Sequence, residues 1–151
     1  MRWTGPDGFE ADDDVDRVDV DVVHGFLSTS YWAPGIPREV VARSIAGSLN
    51  LGVYAADGSM VAFARMVTDR ATFAWLADVF VLPDHRGYGL GRFVVSTLLD
   101  HPDLKGLRRF MLSTLDAQEL YRKYGFTELV DEGPSRTMLI RKDPAEIYGG
   151  N

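Results

Sequence analysis

No cysteine occurs among the 151 residues, so a disulfide framework, a thiolate nucleophile and a zinc–cysteine centre are excluded at the outset. Histidine is nearly as scarce: His24, His85 and His101 are scattered without the close spacing of metal ligands, so no metal is expected, and His85 reads as a surface residue beside Arg86. No apolar run approaches the roughly 20 residues of a membrane span, and the opening Met1-Arg2-Trp3-Thr4-Gly5-Pro6-Asp7 lacks a signal-peptide core. The expectation is a cytoplasmic protein with no membrane partner. Clustered positive charge is missing too. Residues 1–21 hold eight acidic groups against Arg2 and Arg17, and residues 22–151 hold fourteen of each sign, for a net charge of −6. Neutralising phosphates requires clustered Lys and Arg, so nucleic acid is not an expected partner. A cationic substrate would be easier to attract.

What remains is one domain, 1–151, with 46% hydrophobic residues and enough length for a proper core. The run Asp12-Asp13-Asp14-Val15-Asp16 fails as a calcium loop, because counting from Asp12 puts the required glycine on Arg17 and the closing glutamate on Val23. It reads instead as a solvated strand end and helix start, where acidic groups suit the helix dipole. From Val15, the spacing of Val18, Val22, Val23, Phe26 and Leu27 predicts a helix ending near Ser28. The segment 29–37 is a Pro- and Gly-containing loop, and Arg38 to Leu49 a second helix. Leu51 to Ala55 and Met60 to Thr68 form a hairpin across Asp57-Gly58. Ala71 to Leu82 is a strand buried on both faces. Leu90, Phe93, Val94 and Leu98 stripe a helix, Arg109 to Leu115 is a strand, and Ala117 to Tyr124 a helix stopped by Gly125. Phe126 to Val130 and Arg136 to Arg141 complete a strand pair. The order β-α-α-β-β-β-α-β-α-β-β is a mixed-sheet α/β domain.

Chemistry concentrates in 79–92, where Val79-Phe80-Val81-Leu82 runs through Pro83-Asp84-His85 into Arg86-Gly87-Tyr88-Gly89-Leu90-Gly91-Arg92 and a helix. Glycines there let successive N–H groups point inward, and a helix N-terminus adds unpaired donors and partial positive charge. Arg86 and Arg92 flank the turn and suit phosphate oxygens, so a diphosphate is the expected guest. The ATP-type loop would need Gly-Lys-Ser or Gly-Lys-Thr where Gly91-Arg92-Phe93 stands. The dinucleotide fingerprint would need two residues where only Leu90 separates Gly89 from Gly91.

Arg86-x-x-Gly89-x-Gly91 after a strand resembles the central motif of the GNAT superfamily of acyl-CoA-dependent N-acyltransferases. Ala117-Gln118-Glu119-Leu120-Tyr121-Arg122-Lys123-Tyr124-Gly125-Phe126 is similar to that family's Ala-x-x-x-Tyr-x-x-x-Gly-Phe helix ending. The resemblance extends over nearly the whole chain, and it departs at Thr114, where many relatives have Asn. Ser30-Tyr31-Trp32 is similar to a segment of small bacterial GNAT proteins.

The resemblance implies a GNAT-type fold, with a mostly antiparallel sheet whose fourth and fifth strands splay apart around the pantetheine arm of acetyl-CoA. Val79 and Val81 would pair with that arm, a backbone N–H near Val79 or Phe80 would face the thioester carbonyl, and the N–H groups of 86–92 would hold the diphosphate. It further implies transfer of acetyl to a small amine, with Tyr121 donating a proton to, or hydrogen-bonding, the CoA sulfur; the other reading of Tyr121 is an amphipathic core tyrosine, which is the expectation for Tyr124 one turn later. Asp78, the one ionisable group between Ala71 and Leu82, is read in two ways. One is a general base, through water, for an ammonium with a pKa near 10; the other is a carboxylate held by a structural hydrogen bond at a bulge. Polyamine-acetylating relatives carry Glu one position earlier, at Ala77 here, and a one-residue offset reverses the face of a strand. Tyr31 and Trp32 would shape the acceptor pocket, their rings suited to a cation. A homodimer is compatible with this reading. So is a non-catalytic acetyl-CoA sensor, or a phosphate-binding protein of another fold.

Overall fold

A computed structural model describes residues 1–129 and 136–149. Six strands form one sheet in chain order: β1 (Arg2–Thr4), β2 (Glu10–Asp12), β3 (Leu49–Tyr54), β4 (Met60–Thr68), β5 (Phe73–Val81) and β6 (Arg109–Met111). All neighbours are antiparallel except β5 and β6. Helices α1 (Val20–Leu27) and α2 (Arg38–Ala46) lie on one face and α3 (Leu90–Leu99) on the other, followed by the short α4 (Gln118–Arg122) and α5 (Pro144–Ile147). This is the mixed-sheet α/β architecture that the sequence pattern predicts.

The helices form where the apolar stripes place them. Leu90, Val94, Val95 and Leu98 of α3 are buried against Leu51, Val53, Ala64 and Leu76 of the sheet. Each such side chain contributes about 1.5–3 kcal/mol by leaving water. Val23, Leu27, Val41 and Ile45 of α1 and α2 meet Tyr54, Met60, Phe63 and Phe80 on the opposite face. Covered on both sides, β3 is buried at all six residues.

Several boundaries differ from expectation for local reasons. The helix expected from Val15 begins at Val20, because Asp14 accepts from the Asp16 N–H and Asp19 from the Val22 N–H, so each carboxylate closes its own turn. The second helix ends at Gly47 rather than Leu49, which already belongs to β3. One strand was expected before α1, and a hairpin of β1 and β2 stands there. Of the final strand pair, Val130 lies outside the described residues, and neither 126–129 nor 136–141 is a strand. A strand needs a neighbour to accept its ladder bonds, and β6 itself stops at Met111 instead of Leu115. No helix among the described residues is long and apolar enough to cross a membrane.

Candidate active site

Two features of β5 create the site. First, β6 pairs with it only at Phe73, Ala74 and Trp75, after which the two parallel strands part and leave the edge of β5 open. Second, the register against β4 slips: Arg65 faces Ala77 and Phe63 faces Phe80, so β5 carries one residue more than β4 between these pairs. Asp78 sits in this bulge with φ 55°, a left-handed conformation that Asp tolerates better than most residues. The inserted residue inverts the alternation of the strand. Ala74 and Leu76 pack toward α3 before it, Val79 and Val81 after it, and Phe80 joins the α1–α2 core. The one-residue offset between Ala77 and Asp78 therefore does not reverse the face, since Ala77 is paired with Arg65 and Asp78 binds the same Arg65 side chain.

The Leu82 N–H bonds to the Val61 carbonyl at 2.8 Å. Antiparallel alternation then directs the main-chain groups of Val79 and Val81 away from β4, toward the open edge. Phe80 is corrected by the same argument. Its N–H belongs to the pair with Phe63, and its ring is 4% exposed and stacked on Phe26 at 4.3 Å. Of the two N–H donors expected near the thioester, the one facing the gap is Val79.

Beyond β5 the chain makes a turn at Pro83–His85 and enters α3 through Gly87 (φ 93°) and Gly89 (φ 76°), the N-cap. No side chain caps α3, and its first turn holds no acidic residue. Among the described residues, none of the N–H groups from Gly87 to Arg92 has a protein acceptor; the Phe93 N–H, bonded to the Gly89 carbonyl at 3.0 Å, is the first that does. Six consecutive free donors at the positive end of a helix dipole form an anion cradle. Arg86 and Arg92 flank it without a carboxylate partner among the described residues, and the Arg86 Nε donates to the Val81 carbonyl at 3.2 Å, which folds Arg86 against the end of β5. Gly91 is not required by the fold, since a Cβ there would meet only Val81 Cγ2 at 3.7 Å.

On the α1–α2 face a cavity of about 690 Å³ reaches the gap between β5 and the segment after β6. Tyr31, Trp32, Trp75, Asp78 and Tyr121 all line it, as do Arg141 and Lys142. Because this side is open, β5 is only half-buried at Trp75 and Ala77–Val79, less than its apolar composition suggested. The Asp78 side chain is 8% exposed and engaged at both oxygens: Arg65 Nε donates to Oδ2 at 2.6 Å and Trp32 Nε1 to Oδ1 at 3.0 Å. Arg65 Nη1 continues to Ser48 Oγ at 3.0 Å, and Ser48 Oγ donates to the Ser44 carbonyl at 2.7 Å. The chain of bonds ties the loop of Tyr31 and Trp32 to the sheet and to α2. Sequence reading missed Arg65, whose place in the strand pattern gave no sign of its partner.

Tyr121 on α4 lines the cavity, and its Oη has no hydrogen-bond partner among the described residues. Burial, with smaller contributions from Tyr124 and Tyr31, pushes its phenol above the ordinary value, so it keeps its proton at neutral pH. Tyr124, by contrast, donates to the Arg92 carbonyl at 3.3 Å and joins α4 to the start of α3. Thr114 serves the backbone: its Oγ1 accepts from the Ala117 N–H at 3.1 Å, just ahead of α4. Tyr31 Oη accepts from the Leu115 N–H at 3.3 Å. Among the described residues no group of three or more His, Cys, Asp or Glu side chains is placed to hold a metal ion.

Residues 48–128 match the acetyltransferase (GNAT) domain model, more than half of the chain. The chain belongs to the GNAT acetyltransferase family. A GNAT-family protein of known crystal structure from Xanthomonas campestris pv. campestris is 42% identical, with a TM-score of 0.84 over 95% of this chain and 99% of that one. A Gibberella zeae protein assigned as an acetyltransferase is 31% identical over 145 residues, covering 82% of this chain and 80% of that protein. A Deinococcus radiodurans structure at 18% identity and TM-score 0.72 adds agreement of fold alone. The GNAT domain match spans β3 through α4, and so contains both the open edge of β5 and the free donors of α3.

Proposed function

We propose that this GNAT protein transfers acetyl from acetyl-CoA to the nitrogen of a small primary amine. The observation that carries the reading is the row of backbone donors without a protein acceptor at the helix start, Gly87–Arg92, together with the open edge of β5 at Val79 and a phenol at Tyr121 whose proton burial retains. The cradle suits the CoA diphosphate and the edge suits the amide-bearing pantetheine arm; bound there, acetyl-CoA supplies an acetyl group activated as a thioester. The Val79 N–H is fixed in the gap to stabilise developing negative charge on oxygen. As the C–N bond forms and the C–S bond breaks, Tyr121 Oη gives its proton to the departing sulfur; the new amide nitrogen releases its surplus proton to solvent, and Tyr121 regains one from solvent. Thiol release from acetyl-CoA across an amine panel tests this; CoA binding without release would identify a sensor.

Asp78 acts as a positioning residue. Both oxygens already serve Arg65 and Trp32, and among the described residues the cavity lining offers no other carboxylate and no imidazole. The acceptor's ammonium proton is therefore lost to solvent before attack. The expected consequence is that kcat/KM rises about tenfold per pH unit from pH 6 to 9, toward an amine pKa near 10. Tyr121, with its pKa raised, does not bend that profile downward. Asp78→Asn, which preserves the left-handed bulge, should lower kcat/KM without changing the profile's shape. A plateau starting between pH 5 and 8 in the parent protein and absent from this variant would make Asp78 the base instead.

Tyr31 and Trp32 form the acceptor wall in this reading. Trp32→Ala should raise KM for the amine at least several-fold, while KM for acetyl-CoA stays near its original value. Equal increases in both would remove Trp32 from acceptor binding.

A further inference from the structure

The charge lining the acceptor cavity is the reverse of what the acidic sequence suggests. Several carboxylates of residues 1–21 are committed elsewhere: Asp12 to Arg17 at 2.7 Å, Asp13 to His101 at 2.7 Å, and Asp21 to Arg38 at 2.6 Å. None of residues 1–21 lines the cavity. Among the described residues its charged lining is Arg65, Arg141 and Lys142, against Asp78. Arg65 neutralises Asp78 across a 2.6 Å ion pair, so Arg141 and Lys142 are the positive charges left in that described lining. Neither Arg141 nor Lys142 meets a carboxylate among the described residues. Their acidic neighbours are outside the lining, and Asp143 is spent on the Ala145 N–H at 2.9 Å, where it caps α5.

Arg65 contributes more than neutralisation. Its side chain is 15% exposed, and Nε and Nη1 are used on Asp78 and Ser48. Nη2 has no acceptor among the described residues, yet it is not one of the buried unpaired atoms, so it stays accessible beside the cavity. A guanidinium held rigidly by two bonds presents its remaining donors to an anion at little entropic cost. A second ammonium on the acceptor would face like charge instead.

We propose that the acceptor is a primary amine that also bears an anion, a carboxylate or a phosphate, and that Arg141 and Lys142, with Arg65 behind them, hold the anionic end. This rests on the reading of the cavity as the acetyl-acceptor site. It turns the expectation of a cationic substrate around, and it removes diamines and polyamines from the acceptor class.

The test titrates four probes of matched length, β-alanine, phosphoethanolamine, ethanolamine and ethylenediamine, into the protein saturated with CoA, where no turnover can occur. Thiol release from acetyl-CoA is then followed with the same four. The carboxylate or phosphate probe should bind about tenfold or more tightly than the alcohol, with the diamine weakest. Which of the two anions binds better identifies the source. The exposed double variant Arg141→Ala with Lys142→Ala should erase the preference and leave CoA affinity unchanged. Anion-selective binding without thiol release would keep the anion site formed by Arg141 and Lys142 and overturn its reading as the acceptor site. Equal or better binding of ethanolamine or ethylenediamine, or no binding of either anionic probe, would overturn the inference while the CoA site stands.

Discussion

Gly89→Val is expected to weaken CoA binding about a hundredfold or more while the domain stays folded. Gly89 caps α3 at φ 76°, and a Cβ built there meets nothing within 4 Å. The fold thus has room for a larger side chain, and its cost is mainly conformational. A β-branched residue in the left-handed region costs about 1–2 kcal/mol, which lowers Tm by a few degrees in a domain of this size, at about 2–4 °C per kcal/mol. Binding suffers more. The valine side chain stands among six free N–H donors, and each hydrogen bond to a charged phosphate contributes about 1.5–3 kcal/mol. Losing two of them costs about 3–6 kcal/mol, and 1.4 kcal/mol is tenfold. Gly89→Asn separates the two effects, because Asn accepts the left-handed backbone: it should lose CoA affinity with Tm nearly unchanged. If both variants bind CoA as tightly as the parent, the diphosphate lies elsewhere.

Tyr121→Phe is expected to lower kcat about a hundredfold, with KM for acetyl-CoA little altered. The substitution removes only the hydroxyl. The ring keeps its packing, including the edge-on contact with Phe126 at 6.0 Å between centroids. Because Tyr121 Oη has no protein partner among the described residues, its loss leaves no orphaned group and stability should hold. A positioned general acid contributes about 10²–10⁴-fold, and a strong loss in kcat alone is what removing an interaction made only in the transition state produces. Tyr124→Phe is the internal comparison: its hydroxyl meets the Arg92 carbonyl, not the cavity, so kcat should change less than about threefold. Matching losses from the two variants would mean that neither hydroxyl is special.

The parts of this molecule governed by local rules were legible from residues alone. Glycine at 87 and 89 marked the turn because few other residues adopt those backbone angles cheaply. The stripe from Leu90 to Leu98 gave α3, and β4 was read at its true limits. What escaped depended on contacts between distant segments. Asp78 was visible as an isolated charge, but its aim from the bulge at Arg65, thirteen residues away, and at Trp32, forty-six away, was not. Arg65 itself resembled any charge on a strand edge. Charge counted along the chain also says little about the field in a cavity: none of the acidic residues 1–21 lines it, and several are already paired. Nor did periodicity reveal that β6 would leave β5 after three pairs, since splaying is set by neighbours and not by the strand's own composition.

The central claim is that main-chain amides from Gly87 to Arg92 hold the diphosphate of CoA at the start of α3. Titrating ¹⁵N-labelled protein with CoA, with ATP and NAD as comparisons, tests it residue by residue. The amide resonances of Gly87, Tyr88, Gly89, Leu90, Gly91 and Arg92 should shift together and saturate with one dissociation constant for CoA, accompanied by Val79 and Val81 on the open edge. Saturable shifts confined to other residues, with these amides unmoved, would contradict the account.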